Sequence, residues 1–276
     1  MEFLLPAVIA LGGMGILSAI ILYFVSKKFE VQEDPRIAEI YALLPAANCG
    51  GCGHPGCSGF AVACTKASTL EGLLCPVGGA ETMNRIAAIL GQSAVVCEPA
   101  IAVVHCNGSC ENRARTNIYD GTNRCAVASA LYSGETGCSY GCLGWGDCVT
   151  VCQFTAIRIN PETQLPEVDE TKCTACGACV KACPKQLIQL RKKGLDSHRI
   201  YVGCRNKDKG AVARKACSVA CIGCSKCQKT CEFGAIVVMD NLAFINDTQC
   251  TLCGKCVREC PTASIVEHLK NEIASC

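Results

Sequence analysis

The residues of this chain that could do chemistry are its cysteines. There are 28 of them among 276 residues, with only four histidines, and most fall in runs separated by two or three residues. Cysteines spaced so closely on a turn can point both sulfurs at one metal ion or cluster more readily than at each other. The sequence therefore favours metal–thiolate sites over disulfides.

Two of these runs have the spacing of bacterial [4Fe–4S] sites without deviation. They are "CTACGACVKACP" at 173–184 and "CTLCGKCVRECP" at 250–261, and both follow C-x2-C-x2-C-x3-C-P. A third run, "CIGCSKCQKTC" at 221–231, has the same spacing without the proline. Where two clusters are present, three thiols of a run bind one cluster and the fourth binds the other, so runs come in pairs.

The segment between the runs of each pair is typical of a strand, a turn and a second strand. These segments are "AIRINPETQLPEVD" and "AIVVMDNLAFIND". They predict two tandem ferredoxin-like modules of the βαββαβ type, at about 138–190 and 217–268. A strand that ends in cysteine precedes each module, "VVHC" at Cys106 and "YVGC" at Cys204, so the repeat unit includes that strand.

The repeat also contains one conspicuous substitution. "CSYGCLGWGDCVTVCQFTAI" from Cys138 and "CSVACIGCSKCQKTCEFGAI" from Cys217 share nine of twenty positions, but Trp145 stands where the second copy has Cys224. Since Cys138 lies close by in the sequence, we predict that it replaces the missing ligand.

An earlier cysteine-rich stretch, "CGGCGHPGC" followed by "CP", supplies one more four-thiol set. Its glycines allow close approach of the backbone to a bulky cluster. About five [4Fe–4S] clusters, or six with one further set, are therefore predicted. The predicted ligand sets are Cys49, Cys52, Cys57 and Cys75; Cys138, Cys142, Cys148 and Cys183; Cys173, Cys176, Cys179 and Cys152; Cys221, Cys224, Cys227 and Cys260; and Cys250, Cys253, Cys256 and Cys231.

Eight cysteines remain outside these sets. They are Cys64, Cys97, Cys106, Cys110, Cys125, Cys204, Cys217 and Cys276. Cys64 could be a buried structural thiol. Cys97, Cys106, Cys110 and Cys125 could form a sixth site, although isolated thiols near strand ends are the simpler interpretation. Zinc is the alternative for all sets, but zinc sites usually use two pairs of ligands, often with histidine.

The N-terminal segment predicts a membrane anchor. Residues 4–25 contain no charge and as a helix would reach roughly 33 Å, enough for a bilayer core. Glu2 precedes this segment, and Lys27 and Lys28 follow it, an arrangement unlike a cleaved signal peptide. The positive-inside rule then places the N-terminus outside and the cysteines in the reducing cytoplasm. A buried core helix is the alternative.

These observations predict an α+β chain with a single transmembrane helix, a small helical 4Fe–4S domain and two two-cluster modules. "PRIAEIYALLP" and "GGAETMNRIAAIL" predict helices, and "AIAVVHC" predicts a strand. The predicted domains are 1–26, anchor; 27–34, linker; 35–91, 4Fe–4S domain; 92–137, cysteine-rich connecting segment; 138–190, first module; 191–216, basic connector; 217–268, second module; and 269–276, tail.

The order of anchor, "CGGCGHPGC…CP" and ferredoxin runs resembles the B subunits of the Rnf family of ion-translocating oxidoreductases over essentially the whole chain. The first unit alone is also similar to the cluster domain of corrinoid proteins of carbon-monoxide metabolism. The Rnf resemblance implies an inner-membrane protein that takes electrons from reduced ferredoxin at the cytoplasmic face. It passes them to membrane partners, which couple electron transfer to NAD+ with sodium or proton movement.

The residues themselves agree with an electron relay that has no substrate-converting site of its own. The sequence has no glycine fingerprint for a nucleotide and no flavin motif, and its net charge of +2 gives no nucleic-acid signal. Two other functions stay open. One is a membrane-tethered polyferredoxin adaptor that feeds a hydrogenase or corrinoid enzyme, and the other is a zinc-storing protein.

A basic stretch between residues 181 and 215 bears on the partner. It contains eleven Lys or Arg and two acids, Asp196 and Asp208. Such a run usually forms a solvated face, but it could also speed the encounter with an acidic ferredoxin. The candidate docking residues are Lys192, Lys193, Lys207 and Lys209.

Overall fold

The structure is a computed structural model in which most of the chain is described. The described residues are 4–28, 34–93, 98–131, 134–194 and 197–269, and the side chains of the first helix are described from Gly12 onward. Two unassigned thiols, Cys97 and Cys276, lie outside the described residues, as does Asp196 of the basic stretch.

The apolar N-terminal segment forms a helix, α1 (Leu4–Lys28). The helix ends with Lys27 and Lys28 in its last turn. Residues 29–33, within the predicted linker, lie outside the described residues. Among the helices of the described part of the chain, none is both long and apolar enough to cross a membrane.

The first unit consists of three short helices around an apolar core. The helices are α2 (Pro35–Leu43), α3 (Gly56–Lys66) and α4 (Gly79–Leu90). The carboxylate of Asp34 caps α2 by accepting a hydrogen bond of 3.0 Å from the backbone N–H of Arg36. The predicted helices α2 and α4 are confirmed, whereas α3 was not predicted because its glycines and cysteines mask the helical period.

Both ferredoxin-type modules have the element order βαββαβ. The first consists of β1 (Ala100–Val104), α6 (Asp147–Thr150), β2 (Ile157–Ile159), β3 (Pro166–Val168), α7 (Ala178–Ala182) and β4 (Ile188–Lys192), with α5 (Cys125–Leu131) inserted after β1. The second consists of β5 (Arg199–Val202), α9 (Lys226–Thr230), β6 (Ile236–Met239), β7 (Leu242–Ile245), α10 (Lys255–Arg258) and β8 (Ile265–His268), with α8 (Gly210–Ala216) after β5.

The outer strands of each module pair antiparallel. Ala100 faces Lys192 at one end of the β1–β4 ladder, and Val104 faces Ile188 at the other. In the second module Arg199 faces His268 in the β5–β8 ladder. The predicted strand–turn–strand segments are present as the antiparallel hairpins β2–β3 and β6–β7.

The module boundaries differ from those predicted at 138 and 217. β1 lies within the predicted connecting segment 92–137, and β5 lies within the predicted basic connector 191–216. Both strands are the first strands of their modules because they complete the ladder with the last strand. Pairing over such a sequence separation leaves no local spacing signal, and only the repeat of "VVHC" and "YVGC" indicated it.

Thiols make up a large part of the module cores. In the second module Ile200, Ile236 and Ile245 are at most 3% exposed and pack in one cluster with buried Cys227 and Cys256. The first module has a matching but smaller cluster around Ile157 and Ile188. The apolar residues therefore enclose the positions where the sulfurs meet.

Candidate metal centres

The four thiols predicted in the first unit line one pocket. Cys49 and Cys52 come from the loop after α2, Cys57 lies in the first turn of α3, and Cys75 precedes α4. The side chain of Asn48 fixes this loop, since its Oδ1 accepts a hydrogen bond of 2.8 Å from the backbone N–H of Cys57.

Cys64 belongs to the core of the first unit and not to this pocket. It is fully buried on α3, and burial together with nearby thiols raises its pKa to about 11. The structure thus places it where the sequence analysis suggested a structural thiol.

Two of the module sets also line pockets as predicted. The pocket in the first module is lined by Cys152, Cys173, Cys176 and Cys179, and the one in the second by Cys231, Cys250, Cys253 and Cys256. In each set the last cysteine of the earlier run joins three cysteines of the later run. The chain crossing predicted from the paired runs is therefore seen in the thiol positions.

A further predicted set, in the second module, brings its thiols into one neighbourhood. Burial raises the pKa of Cys227 to about 11, and the nearby thiols of Cys221, Cys260 and Cys224 add to this effect. Both Cys221 and Cys227 are buried, whereas Cys224 is exposed.

The remaining predicted set requires a correction. The pocket that holds Cys142, Cys148 and Cys183 is lined by Cys125 as the fourth thiol, and Cys138 is not part of it. Cys125 opens α5, in the segment between β1 and α6 that is longer in the first copy of the repeat.

Asp147 and Trp145 of the cysteine run hold this inserted segment in place. Asp147 accepts hydrogen bonds of 3.0 Å from the backbone N–H of Ala126 and from Nε of Arg124, on either side of Cys125. The ring of Tyr119 stacks on Trp145 with centroids 5.1 Å apart. The same insertion thus supplies a thiol and covers the tryptophan that occupies the position of Cys224.

Sequence spacing could not reveal this replacement. A ligand brought by a long loop has no fixed distance from the run that it completes, whereas Cys138 was chosen by proximity alone. The available signal was an unassigned cysteine, Cys125, in an insertion confined to the copy that has Trp145.

Cys138 lies instead in a pocket that the sequence analysis did not predict. Its thiol lines this pocket together with those of Cys106, Cys204 and Cys217. Of the predicted sixth set, Cys106 lines this pocket and Cys125 lines that of Cys142, whereas Cys97 lies outside the described residues. Cys110 is exposed and its thiol donates to the backbone oxygen of Glu162 over 2.8 Å.

The donor groups fit [4Fe–4S] clusters. Each set offers four thiols, and backbone N–H groups donate to several of the sulfurs, as is usual around such clusters. These hydrogen bonds join Gly78 N to Cys75 (3.3 Å), Ala156 N to Cys152 (3.3 Å), Leu187 N to Cys183 (3.4 Å) and Ser264 N to Cys260 (3.3 Å). Within the described residues, no group of His, Cys, Asp and Glu side chains converges as a site for a single metal ion.

The protonation of the thiols depends strongly on their surroundings. Burial raises the pKa of Cys142 and Cys148 to about 12, and neighbouring thiols contribute further. Because iron binds the thiolate form of cysteine, cluster assembly at these residues releases protons.

The four candidate docking lysines mostly have partners already. Lys192 forms an ion pair with Glu98, and Lys207 pairs with Asp240 at 3.3 Å. The ammonium group of Lys193 donates to the backbone oxygen of Glu170 over 3.3 Å, and Lys209 stands at the N-cap of α8.

Comparison with known proteins identifies iron–sulfur domains in the same parts of the chain. Family models match three parts of the chain: a 4Fe-4S dicluster domain at 220–265, a 4Fe-4S binding domain at 166–189, and an Fe-S cluster family at 44–69.

Three curated relatives, all B subunits, align with most of the chain. The chain is 43% identical to that of the Na(+)-translocating ferredoxin:NAD(+) oxidoreductase complex of Acetobacterium woodii, over 91% of this chain and 74% of the relative. It is 41% identical to the B subunit of the ion-translocating oxidoreductase complex of Methanosarcina acetivorans, over 95% of this chain and 97% of the relative. It is 36% identical to the B subunit of the proton-translocating ferredoxin:NAD(+) oxidoreductase complex of Clostridium ljungdahlii, over 91% of this chain and 88% of the relative. With this identity and coverage, the chain belongs to the family of B subunits of Rnf-type ion-translocating oxidoreductase complexes.

Proposed function

We propose that this chain is the iron–sulfur subunit that relays electrons from reduced ferredoxin into an Rnf-type complex, which couples electron transfer to NAD+ with translocation of sodium ions or protons. Each [4Fe–4S] cluster supplies a centre that accepts and gives up one electron. The proposed ligands in the first unit and the modules are Cys49, Cys52, Cys57 and Cys75; Cys152, Cys173, Cys176 and Cys179; Cys125, Cys142, Cys148 and Cys183; Cys221, Cys224, Cys227 and Cys260; and Cys231, Cys250, Cys253 and Cys256.

One observation carries this proposal: the thiol groups adjoin one another from the first unit into the modules. A Cβ atom on Gly51 would lie only 2.7 Å from the backbone oxygen of Cys176, so the loop of the first unit rests directly on the first module. Within that module, burial and nearby thiols, including Cys179 of the adjoining set, raise the pKa of Cys148. Closely spaced redox centres are what an electron relay requires.

The residues of the chain orient the clusters, shield them from water and set their reduction potentials. The backbone N–H groups that donate to Cys75, Cys152, Cys183 and Cys260 stabilise thiolate charge, and such hydrogen bonds raise the reduction potential of the bound cluster. The surrounding isoleucines shield the buried thiols of Cys148, Cys227 and Cys256 from water.

We also propose, on the sequence alone, that the N-terminal segment attaches the relay to the inner membrane. The support is the uncharged run 4–25 followed by Lys27 and Lys28, which by the positive-inside rule directs the iron–sulfur units to the cytoplasm. Lys192, Lys193, Lys207 and Lys209 are proposed to favour the approach of an acidic ferredoxin by long-range attraction. Their existing partners are mostly at the exposed rim, where ion pairs are weak.

The test uses membranes of a strain from which this chain has been deleted and then restored. The restored strain is expected to recover NAD+ reduction driven by reduced ferredoxin, together with ion uptake into inverted vesicles. Restoration with Cys179→Ser is expected to recover far less of both activities, and Cys110→Ser should recover both in full. Ferredoxin-driven NAD+ reduction in the deleted strain at the original rate would overturn the proposal and favour an adaptor for another enzyme.

A further inference from the structure

The unpredicted pocket lies where the two modules meet. Its thiols come from both copies of the repeat: Cys106 and Cys138 from the first, Cys204 and Cys217 from the second. We propose that these four thiols bind a further [4Fe–4S] cluster, which connects the electron paths of the two modules. The connecting role of this cluster depends on the proposed function. The presence of the cluster depends only on the pocket.

The ligands are related by the internal repeat. Cys106 and Cys204 each follow the first strand of a module, and Cys138 and Cys217 each stand four residues before the first cysteine of the module run. The repeat thus supplies the same two thiols twice, and the pocket joins one pair from each copy. This explains why neither module needs Cys138 or Cys217 for its own clusters.

The backbone around the pocket repeats the same arrangement. The N–H of His105 donates to the oxygen of Leu187 over 2.7 Å, and the N–H of Gly203 donates to the oxygen of Ser264 over 2.8 Å. Each bond ties the residue before a ligand cysteine to the start of the last strand of its own module. The two strand-end thiols are therefore held at equivalent positions.

Hydrogen bonds between the copies close the pocket. The backbone N–H of Asn107 donates to the oxygen of Gly203 over 2.9 Å, and that of Ser218 donates to the oxygen of Asn112 over 2.9 Å. Nδ1 of His105 lies 2.8 Å from the oxygen of Val202 and must donate, because a carbonyl only accepts. These contacts hold the two copies of the repeat together around the four thiols.

N–H groups of Asn206 can donate hydrogen bonds to two of the sulfurs in this pocket. The side-chain amide of Asn206 lies 3.6 Å from the sulfur of Cys138, and its backbone N–H lies 3.4 Å from that of Cys204. Asn206 is only 1% exposed. A Cβ atom on Gly108 would lie 3.0 Å from the sulfur of Cys217, so glycine is what leaves room for the thiol there.

Positive charge also faces this pocket. Arg113 and Arg205 both line it, and Arg113 is 6% exposed. Within the described residues, Nε of Arg113 and both Nε and one terminal nitrogen of Arg205 are buried without a hydrogen-bond partner. Unpartnered buried donors are costly. A cluster held by four thiolates carries net negative charge, which these guanidinium groups would offset.

The position of the pocket makes it a connection and not an isolated site. Arg113, which lines it, also donates to the backbone oxygen of Cys142 in the adjoining set of the first module. On the other side, the backbone and the thiol of Cys221 lie close to the Cys204 thiol. A single electron can therefore pass from a reduced cluster of one module through this site to an oxidised cluster of the other, with no bond made or broken and no proton transferred.

The first test counts metal in the full chain prepared without oxygen. The intact protein is expected to hold about 24 iron, and Cys217→Ser about 20, since a hydroxyl is a poorer ligand for iron than a thiolate. The matched control is Cys110→Ser, an exposed thiol outside the pockets described above, which should keep the full iron content. About 20 iron in all three proteins, or one zinc that is lost only from Cys217→Ser, would overturn the proposal.

Two further measurements test the cluster without relying on a variant that could misfold, and distinguish this inference from the proposed function. Native mass spectrometry of the unaltered chain should show six clusters, whereas five would contradict the inference without any variant. In Cys217→Ser, ferredoxin should reduce one module at the original rate and the other at least tenfold more slowly. Equal rates for both modules would overturn the connecting role. No reduction of any cluster by ferredoxin would contradict the proposed function while leaving the cluster count intact.

Discussion

The carboxylate of Asp147 accepts a hydrogen bond of 3.0 Å from the backbone N–H of Ala126. Because Asp147 precedes Cys148 and Ala126 follows Cys125, this contact joins two thiols of one set that are far apart in the sequence. Burial raises the pKa of Asp147, but the backbone donors and Arg124 outweigh this and hold that pKa below its usual range. The carboxylate is therefore ionised at neutral pH and holds the inserted segment in place.

Removing this carboxylate should weaken one cluster. In Asp147→Ala the N–H of Ala126 loses its acceptor, at a cost of about 1–3 kcal/mol, and Cys125 is no longer held against the run. We expect faster loss of about four iron in air, measured by iron content over time. Asp240→Ala, which removes an exposed carboxylate, is the control. Equal rates of iron loss in the two variants would show that Asp147 does not position Cys125.

The role of Cys125 predicts a loss and a rescue. Cys125→Ser should lose one cluster, whereas the double variant Cys125→Ser with Trp145→Cys should regain it, because a cysteine at 145 restores the spacing found around Cys224 in the second copy. Iron content and spin quantitation by electron paramagnetic resonance would measure both. Full iron in the single variant would mean that another thiol completes the set.

The close contact at Gly51 predicts that a larger residue there slows electron transfer between the first unit and the first module. A methyl group there would lie 2.7 Å from the oxygen of Cys176, which is backbone and cannot move aside easily. We expect Gly51→Ala to slow electron transfer between the cluster of the first unit and the modules by about tenfold, as seen by freeze-quench spectroscopy. In Gly137→Ala the new methyl makes an ordinary contact of 3.7 Å and should have no effect. Similar rates in both variants would place the electron path elsewhere.

Glu170 predicts a pH-dependent link between the modules. It lies after β3 in the first module and pairs with Arg199 and His268 of the second. Burial raises the pKa of Glu170, but the hydrogen bonds of Arg199 and Ser197 outweigh it and keep that pKa below its usual value. The contribution of Glu170 to the free energy of unfolding is thus fully present above about pH 4.3, the ordinary pKa of a glutamate. It is lost as the pH falls through the lower pKa that Glu170 has in the folded protein.

Glu170→Gln should therefore reduce the free energy of unfolding by about 1–3 kcal/mol at neutral pH, because Arg199 is left without its charged partner. The difference from the unaltered protein should shrink at acid pH. Denaturant unfolding of the iron-loaded protein at several pH values measures it. A difference that does not change with pH would show that the carboxylate charge contributes nothing.

The basic connector predicts a kinetic effect. Changing Lys192, Lys193, Lys207 and Lys209 to Glu should slow electron uptake from ferredoxin at low salt and flatten its salt dependence, because rim charges act mainly on encounter. Stopped-flow mixing at several salt concentrations measures it, with Lys66→Glu on the first unit as control. Unchanged rates at low salt would leave these lysines as a solvated face.

Local spacing was sufficient for sites whose ligands all belong to the paired cysteine runs. The sets around Cys173 and Cys250 could be predicted because their residues follow a fixed pattern with a crossing fourth ligand. The exchange of Cys138 for Cys125 could not be predicted, because a long insertion sets the position of Cys125 in space. The pocket between the modules needed the pairing of distant strands, since Cys106 and Cys204 are positioned by β1 and β5. The repeat contained that information, but only the fold shows that the two copies face each other.

The electron relay itself is tested most directly by mixing the anaerobically prepared full chain with reduced ferredoxin, separating the two proteins, and recording the iron–sulfur charge-transfer absorbance of each. The account predicts that the chain is bleached and that ferredoxin is reoxidised in matching amount. A colourless protein that contains zinc, or an iron-loaded protein that ferredoxin leaves oxidised, would contradict it.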